Sequence, residues 1–168
     1  NLTGLSNDRH LHEVLKIEVK KACRTKSKLC LIFLDLDHLK EVNDHFGHLA
    51  GSRVLVEVAD VLKHVVYSLS DKKKAVLCRY GGDEYVCVLP GVGIEEASTI
   101  AESIRSAVQG KVFLINQTPE VPALKIRNTI TASIGVAEFD AKLDGSDHRK
   151  LVRKADQAMY KAKAKGRN

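Results

Sequence analysis

The sequence predicts an α+β fold with a ferredoxin-like βαββαβ core, a central, mainly antiparallel sheet flanked by helices. Three observations predict it. Leu29 to Leu36 is a continuous apolar run of strand length, as a central strand buried on both faces requires. Gly81-Gly82 joins the apolar runs Val76-Leu77-Cys78 and Val86-Cys87-Val88-Leu89, the pattern of a hairpin whose tight turn needs φ > 0. Helical periodicities from Ser52 to about Val66 and from Ile94 to Gly110 flank that hairpin, and a final strand and helix complete the order.

Asn1 to Leu5 is turn-like, and Ser6 or Asn7 caps a first surface helix with Leu11, Val14, Leu15 and Val19 at helical spacing. Asp35 breaks the apolar strand near its end and Asp37 lies beyond it. The two share a face by the two-residue period, so one of them reaches toward the hairpin acids. For Asp37 the commoner role, a helix or turn cap, is expected. His38 to Gly51 reads as a polar loop with helical turns, and Ser52 stands near the start of a helix burying Leu55, Val58, Ala59, Leu62, Val65 and Val66. Ser68 to Lys74 is a charged loop.

After the hairpin, Gly91 and Gly93 precede a helix that buries Ile100, Ala101 and Ile104 and ends at Gly110. Lys111 to Arg127, with Pro119 and Pro122, is the least regular stretch. Thr129 to Val136 alternates, Ile130, Ala132, Ile134 and Val136 against Thr129, Thr131 and Ser133, and predicts a half-exposed strand. The Asp140 to Asp147 loop leads to a last helix burying Leu151, Val152, Ala155, Met159 and Ala162 and ending at Gly166. Lys163 and Arg167 lie four apart and point the same way if the last turn holds.

With 168 residues and 44% hydrophobic content, one domain over 1–168 accommodates the chain. No run of 18 apolar residues and no leader-like segment is present, so neither membrane contact nor export is expected of this domain. Cys23, Cys30, Cys78 and Cys87 lack paired spacing and read as small core residues of a protein in a reducing cytoplasm. The net charge of +6 suits a nucleoside triphosphate, a nucleic acid or merely a solvated basic face. Few aromatics and no tryptophan argue against a base-stacking platform for nucleic acid.

The chemistry concentrates at Arg79-Tyr80-Gly81-Gly82-Asp83-Glu84-Tyr85. Adjacent acids entering a buried strand are costly to desolvate unless a cation or donors meet them, and a glycine tip lets a ligand approach the backbone. Together these features suggest a metal-phosphate site.

Along its whole length the sequence resembles the GGDEF domains of the bacterial diguanylate cyclases. The resemblance rests on Leu2-Thr3-Gly4-Leu5, Leu34-Asp35-Leu36-Asp37-His38, Lys40, Val42-Asn43-Asp44, Gly47-His48 and Gly51. It continues through the hairpin, Ser133-Ile134-Gly135-Val136, Ala155-Asp156, Tyr160-Lys161-Ala162-Lys163 and Gly166-Arg167-Asn168, with Tyr85 in place of the usual Phe. The resemblance implies a nucleotidyl-cyclase, palm-like fold. It further implies two divalent cations, normally Mg²⁺ with Mn²⁺ as an alternative, held by Asp35, the Leu36 carbonyl, Asp83 and Glu84. Glu84 would contact metal or take the proton of the attacking 3′-hydroxyl. Gly81 and Gly82 would leave room for the nucleotide, Asn43, His48 and Ser52 would line its site, and Lys163 and Arg167 would meet its triphosphate. GTP is the implied substrate, a homodimer the implied working form, and an upstream sensory or receiver domain in a longer protein the implied control.

Two departures stand out. The guanine-reading position, usually Asp, is Ser52, as in the hybrid subgroup that makes cyclic GMP-AMP as well as cyclic di-GMP; a hydroxyl accepts or donates and so tolerates adenine. ATP is therefore an expected second substrate, with Ser52 as a mere helix cap the competing reading. The Arg-x-x-Asp product-inhibition position reads Lys72-Lys73-Lys74-Ala75, so that inhibition site is expected to be absent. The competing classes are a binding-only domain, which usually loses a signature acid or glycine, and an RNA-binding module, which needs exposed aromatics.

Overall fold

A computed structural model describes residues 2–69 and 74–168. The chain forms α1 (Asp8–Thr25), β1 (Leu29–Asp37), α2 (Leu39–Phe46), α3 (His48–Leu69), β2 (Val76–Arg79) and β3 (Glu84–Pro90). It continues with α4 (Ile94–Gly110), β4 (Thr131–Glu138), α5 (Ala141–Asp144) and α6 (His148–Ala164). The strands pair in the order β2-β3-β1-β4, every pair antiparallel, which is the ferredoxin-like topology expected from the sequence.

All nine residues of β1 are buried because both its faces are covered. Cys30, Ile32, Leu34 and Leu36 face α3 and α4 with Val58, Leu62, Ile100 and Ile104, while Leu29, Leu31 and Phe33 face α1 and α6 with Leu11, Leu15, Leu151 and Met159. The pleat therefore divides one strand between two apolar layers. Asn7 caps α1, its side chain accepting from the His10 amide at 3.0 Å. Cys30, Cys78 and Cys87 are buried free thiols, and Cys23 is exposed. Among the described residues no helix is long and apolar enough to cross a membrane.

Several expectations need correction. The stretch from His38 to Gly51 is mostly helix, beyond the helical turns expected: α2 ends at Gly47, whose φ of +83° suits glycine, and α3 starts at His48. Ser52 is thus the fifth residue of α3 and cannot cap it. At its other end α3 runs to Leu69, carrying Ser68 into the helix; residues 70–73, including Lys72 and Lys73 of the expected inhibition position, lie outside the described residues.

Half of the β4 residues are only partly buried, but its better covered face is not the expected one. Ser133 is fully buried, because α6 lies over the face that the alternation marks as polar. Gly135 admits the helix: a Cβ there would overlap the α6 backbone at Ala155 and Met159. The face lined by small and hydroxyl side chains is therefore covered by α6, while Ile134 and Val136 on the other face are partly buried.

Candidate active site

The site forms where the chemistry of β1 changes from apolar to acidic. Asp35 is paired in register with Glu84 of β3 on one side and with Ser133 of β4 on the other, so two carboxylates stand directly opposite across a ladder. Like charges in that position repel. Asp83 joins them, its carbonyl accepting from the Leu36 amide at 3.2 Å.

Burial raises the Asp35 carboxyl above its ordinary range, opposed by the hydrogen bond from Lys163 and reinforced by the charge of Asp83. For Glu84 burial again comes first, followed by the charges of Asp35, Asp83 and Asp156, with Lys163 opposing. Burial, and behind it the neighbouring carboxylates, thus disfavours the charged forms of both groups. Lys163 Nζ, 2.7 Å from Asp35 Oδ1, supplies part of the compensation.

A hard cation suits this donor set, since it is composed of carboxylate oxygens in repulsion. Among the described residues no three acidic, His or Cys side chains converge as a closed cage. Such an open set fits Mg²⁺, which keeps waters and substrate phosphates as ligands instead of demanding an all-protein shell.

The hairpin tip is a four-residue loop, Tyr80 to Asp83, between β2 and β3. Contrary to the turn expected from Gly81-Gly82, neither glycine has positive φ. Their lack of a side chain matters for space: a Cβ on Gly81 would press on Glu84 Oε2, 2.8 Å away, while Gly82 faces open space. Arg79 fixes the loop by donating from Nε to the Gly82 carbonyl at 3.0 Å.

On the α2/α3 side of this tip is a cleft of about 290 Å³, lined by Asn43, His48, Gly51, Ser52, Gly82 and Asp83. Gly51 makes the Asn43 position possible, because a Cβ there would collide with the Asn43 carboxamide. Tyr85, fully buried, donates its hydroxyl to the Leu55 carbonyl at 2.8 Å and so ties β3 to the helix that carries Ser52. Where a Phe would supply only its ring, Tyr85 therefore adds a hydrogen bond.

Asp37 is not a cap. Its carboxylate accepts from Thr131 Oγ1 at 2.8 Å, Ser133 Oγ at 2.9 Å and the Asn168 amide at 3.3 Å, with Arg167 Nε 3.8 Å away. The last turn of α6 does not extend to Arg167, which lies beyond the helix with φ of +67°. Lys163 and Arg167 nonetheless reach neighbouring acids, Asp35 and Asp37. Asp156, quoted above only as part of a motif, raises the charge around Glu84 and Tyr80. Its spacing of seven from Lys163, two turns along one helix face, was the available signal.

The sequence matches the family model described as "Diguanylate cyclase, GGDEF domain" over residues 1–168. Diguanylate cyclase DgcP of Pseudomonas aeruginosa is 35% identical over 99% of this chain and 22% of its own length. Response regulator PleD of Caulobacter vibrioides is likewise 35% identical, over 99% of this chain and 34% of its own. This chain therefore spans between about a fifth and a third of those relatives.

Among solved structures, the GGDEF domain of DgcB from Caulobacter crescentus, in complex with c-di-GMP, superposes with a TM-score of 0.85 at 28% identity, covering 100% of this chain and 91% of that one. Diguanylate cyclase SiaD of Pseudomonas aeruginosa, in complex with its activator SiaC, gives a TM-score of 0.83 at 33% identity, covering 99% of this chain and 58% of the other. On the family match over its full length and on relatives 35% identical over nearly all of it, this chain belongs to the GGDEF domain family of the diguanylate cyclases.

Proposed function

We propose that this domain condenses two molecules of GTP into cyclic di-GMP with release of pyrophosphate. The observation that carries the reading is the junction at the hairpin tip, where Asp35 stands opposite Glu84 across the β1–β3 ladder and Asp83 lines the edge of the Asn43–Ser52 cleft. A base held by Asn43, His48 and Ser52 would direct its phosphates across Gly81 and Gly82 toward the acids. Lys163 and Arg167 would neutralise the triphosphate there, exchanging part of their present pairing with Asp35 and Asp37.

Asp35, Asp83, Glu84 and the Leu36 carbonyl are the groups that would hold Mg²⁺, or Mn²⁺ in its place. Such ions, when bound, lower the charge on the phosphates and favour in-line displacement at the α-phosphorus. Glu84, whose burial raises its proton affinity, is suited to receive the proton of an attacking 3′-hydroxyl, as well as to contact metal. A single nucleotide site per domain requires two domains face to face, so the working form is a homodimer brought together by a further domain of the longer protein, acting in the bacterial cytoplasm.

A second reading has its own observation. Ser52 lies inside α3 and lines the cleft beside Asn43, a placement that supports a base contact over a cap. The hydroxyl would admit ATP alongside GTP and give cyclic GMP-AMP in addition. Losing a charged hydrogen bond to guanine relaxes selectivity by roughly one to two decades, from about 1.5–3 kcal/mol.

Product analysis by mass after incubation with Mg²⁺ and GTP, ATP or an equal mixture tests both readings. Cyclic di-GMP from GTP is expected. Cyclic GMP-AMP from the mixture, abolished by Ser52→Asp, supports the wider choice; cyclic di-GMP alone restricts the enzyme to GTP. No product with dimerisation enforced by a fused coiled coil would overturn the cyclase assignment.

A further inference from the structure

The seam between α1 and α6, on the far side of Tyr80 from the cleft, holds a side-chain cluster that the proposed reaction does not use. His12 of α1 and His148, the first residue of α6, meet there with His12 Nδ1 3.1 Å from His148 Nε2. Their rings stand edge to face at 74°, with centroids 5.2 Å apart. His148 is buried and His12 is half-buried. On its other side His12 presents Nε2 to Asp8 Oδ1 at 3.2 Å.

We propose that His12 and His148 form a clip for a divalent transition-metal ion of the Zn²⁺ class, joining α1 to α6. Metal–nitrogen bonds of about 2.0–2.1 Å in tetrahedral geometry place two ligand nitrogens about 3.3 Å apart. The pair already stands within a few tenths of an ångström of that separation. Asp8 supplies the outer partner that metal-bound imidazoles usually have: it holds the His12 proton on Nε2 and turns the Nδ1 lone pair toward His148. In the metal-free protein His148 Nε2 then carries the proton shared between the rings. Binding moves that proton to Nδ1 of the same ring through solvent, so no proton is lost overall.

The ion's remaining positions face an open cleft of about 890 Å³. Glu13 and Asp147 line it with Arg9, Lys16 and Arg149, and the two arginines are already paired, Arg9 with Glu13 at 3.3 Å and Arg149 with Asp147 at 2.9 Å. Counting Asp8, three carboxylates and three cations lie around the pair; Lys16 and Arg149 disfavour positive charge at His148, and Asp147 favours it. The dipole at the start of α6 opposes a cation, and the Asp147 N-cap offsets it. With no third His, Cys or acid converging among the described residues, the site is open and exchangeable, completed by water.

The clip has a route to the hairpin. Tyr80, the residue before Gly81, packs edge-on against both Phe33 at 5.2 Å and His12 at 6.5 Å. An ion that fixes His12 therefore also buttresses the tip.

The test uses chelator-stripped protein in saturating Mg²⁺, which keeps the carboxylate site out of the measurement. Zn²⁺ at about ten times its dissociation constant is expected to raise Tm by about 4 °C. The rise should vanish in His12→Gln/His148→Gln and persist in Cys23→Ser and in Glu84→Gln. Cu²⁺ on the unaltered protein gives an EPR readout that needs no variant: two nitrogen couplings are expected. A Tm rise that survives the double histidine change, or a Cu²⁺ spectrum without two nitrogens, would overturn the clip. Neither result depends on whether the domain makes a cyclic dinucleotide.

Discussion

Asp35 and Asp37 stand two residues apart on one face of β1, both buried, yet their surroundings are opposite. Asp37 accepts from two hydroxyls and a backbone amide, with a guanidinium nearby. Asp35 has the Lys163 ammonium and, across from it, two more carboxylates. A buried charge surrounded by donors holds structure together, whereas one set against like charges waits for something to be bound. The difference arises at β4. Thr131 and Ser133 both turn their hydroxyls to Asp37, while Asp35 faces the hairpin acids on the β3 side.

The largest expected effect separates the two by activity. Asp35→Asn should lower cyclic-dinucleotide formation by about 100- to 1000-fold, the scale for removing one electrostatic group from a reacting centre. Thermal unfolding of the same variant should show no loss of stability, because a repelling charge has been removed. A variant that unfolds early while keeping its rate per folded molecule would erase the contrast.

Asp37→Ala should act in the reverse sense. Leaving the buried Ser133 hydroxyl, the partly buried Thr131 hydroxyl and the Asn168 amide without an acceptor costs about 2–3 kcal/mol, or about 6–10 °C in Tm for a chain of this size. Calorimetry reads it directly, and an unchanged Tm would show that the donors find other partners.

Glu84→Gln sharpens the comparison with the smallest change. It keeps the side chain's shape and removes one of the repelling charges, so metal-free protein should gain about 1 kcal/mol by chemical denaturation. A loss would mean that the Glu84 charge has a stabilising partner in the fold.

The hairpin, the central strand and every helix longer than one turn after Gly47 were legible because each carries its signal locally, as periodicity or as a break in it. Less legible was α2, whose eight residues carry only Leu39 and Val42 as buried positions and otherwise read as polar turn chemistry. The site acids were legible as residues, and the strand period already turned one of Asp35 and Asp37 toward the hairpin; which one, and opposite which acid, only the β1–β3 register decides. The turn at Gly81 and Gly82 does not use the positive φ read from the sequence; Gly81 instead leaves room for the Glu84 carboxylate.

By itself the sequence determined the order of elements, the apolar faces and the supply of carboxylates, since these follow from side-chain chemistry repeated at the period of a strand or helix. Which aspartate would be satisfied and which left in repulsion was decided only by tertiary structure. So were the covering of β4 by α6, the placing of Ser52 beside Asn43 and the meeting of His12 with His148. These depend on residues up to 136 positions apart being brought within hydrogen-bond reach, a distance that no local pattern encodes.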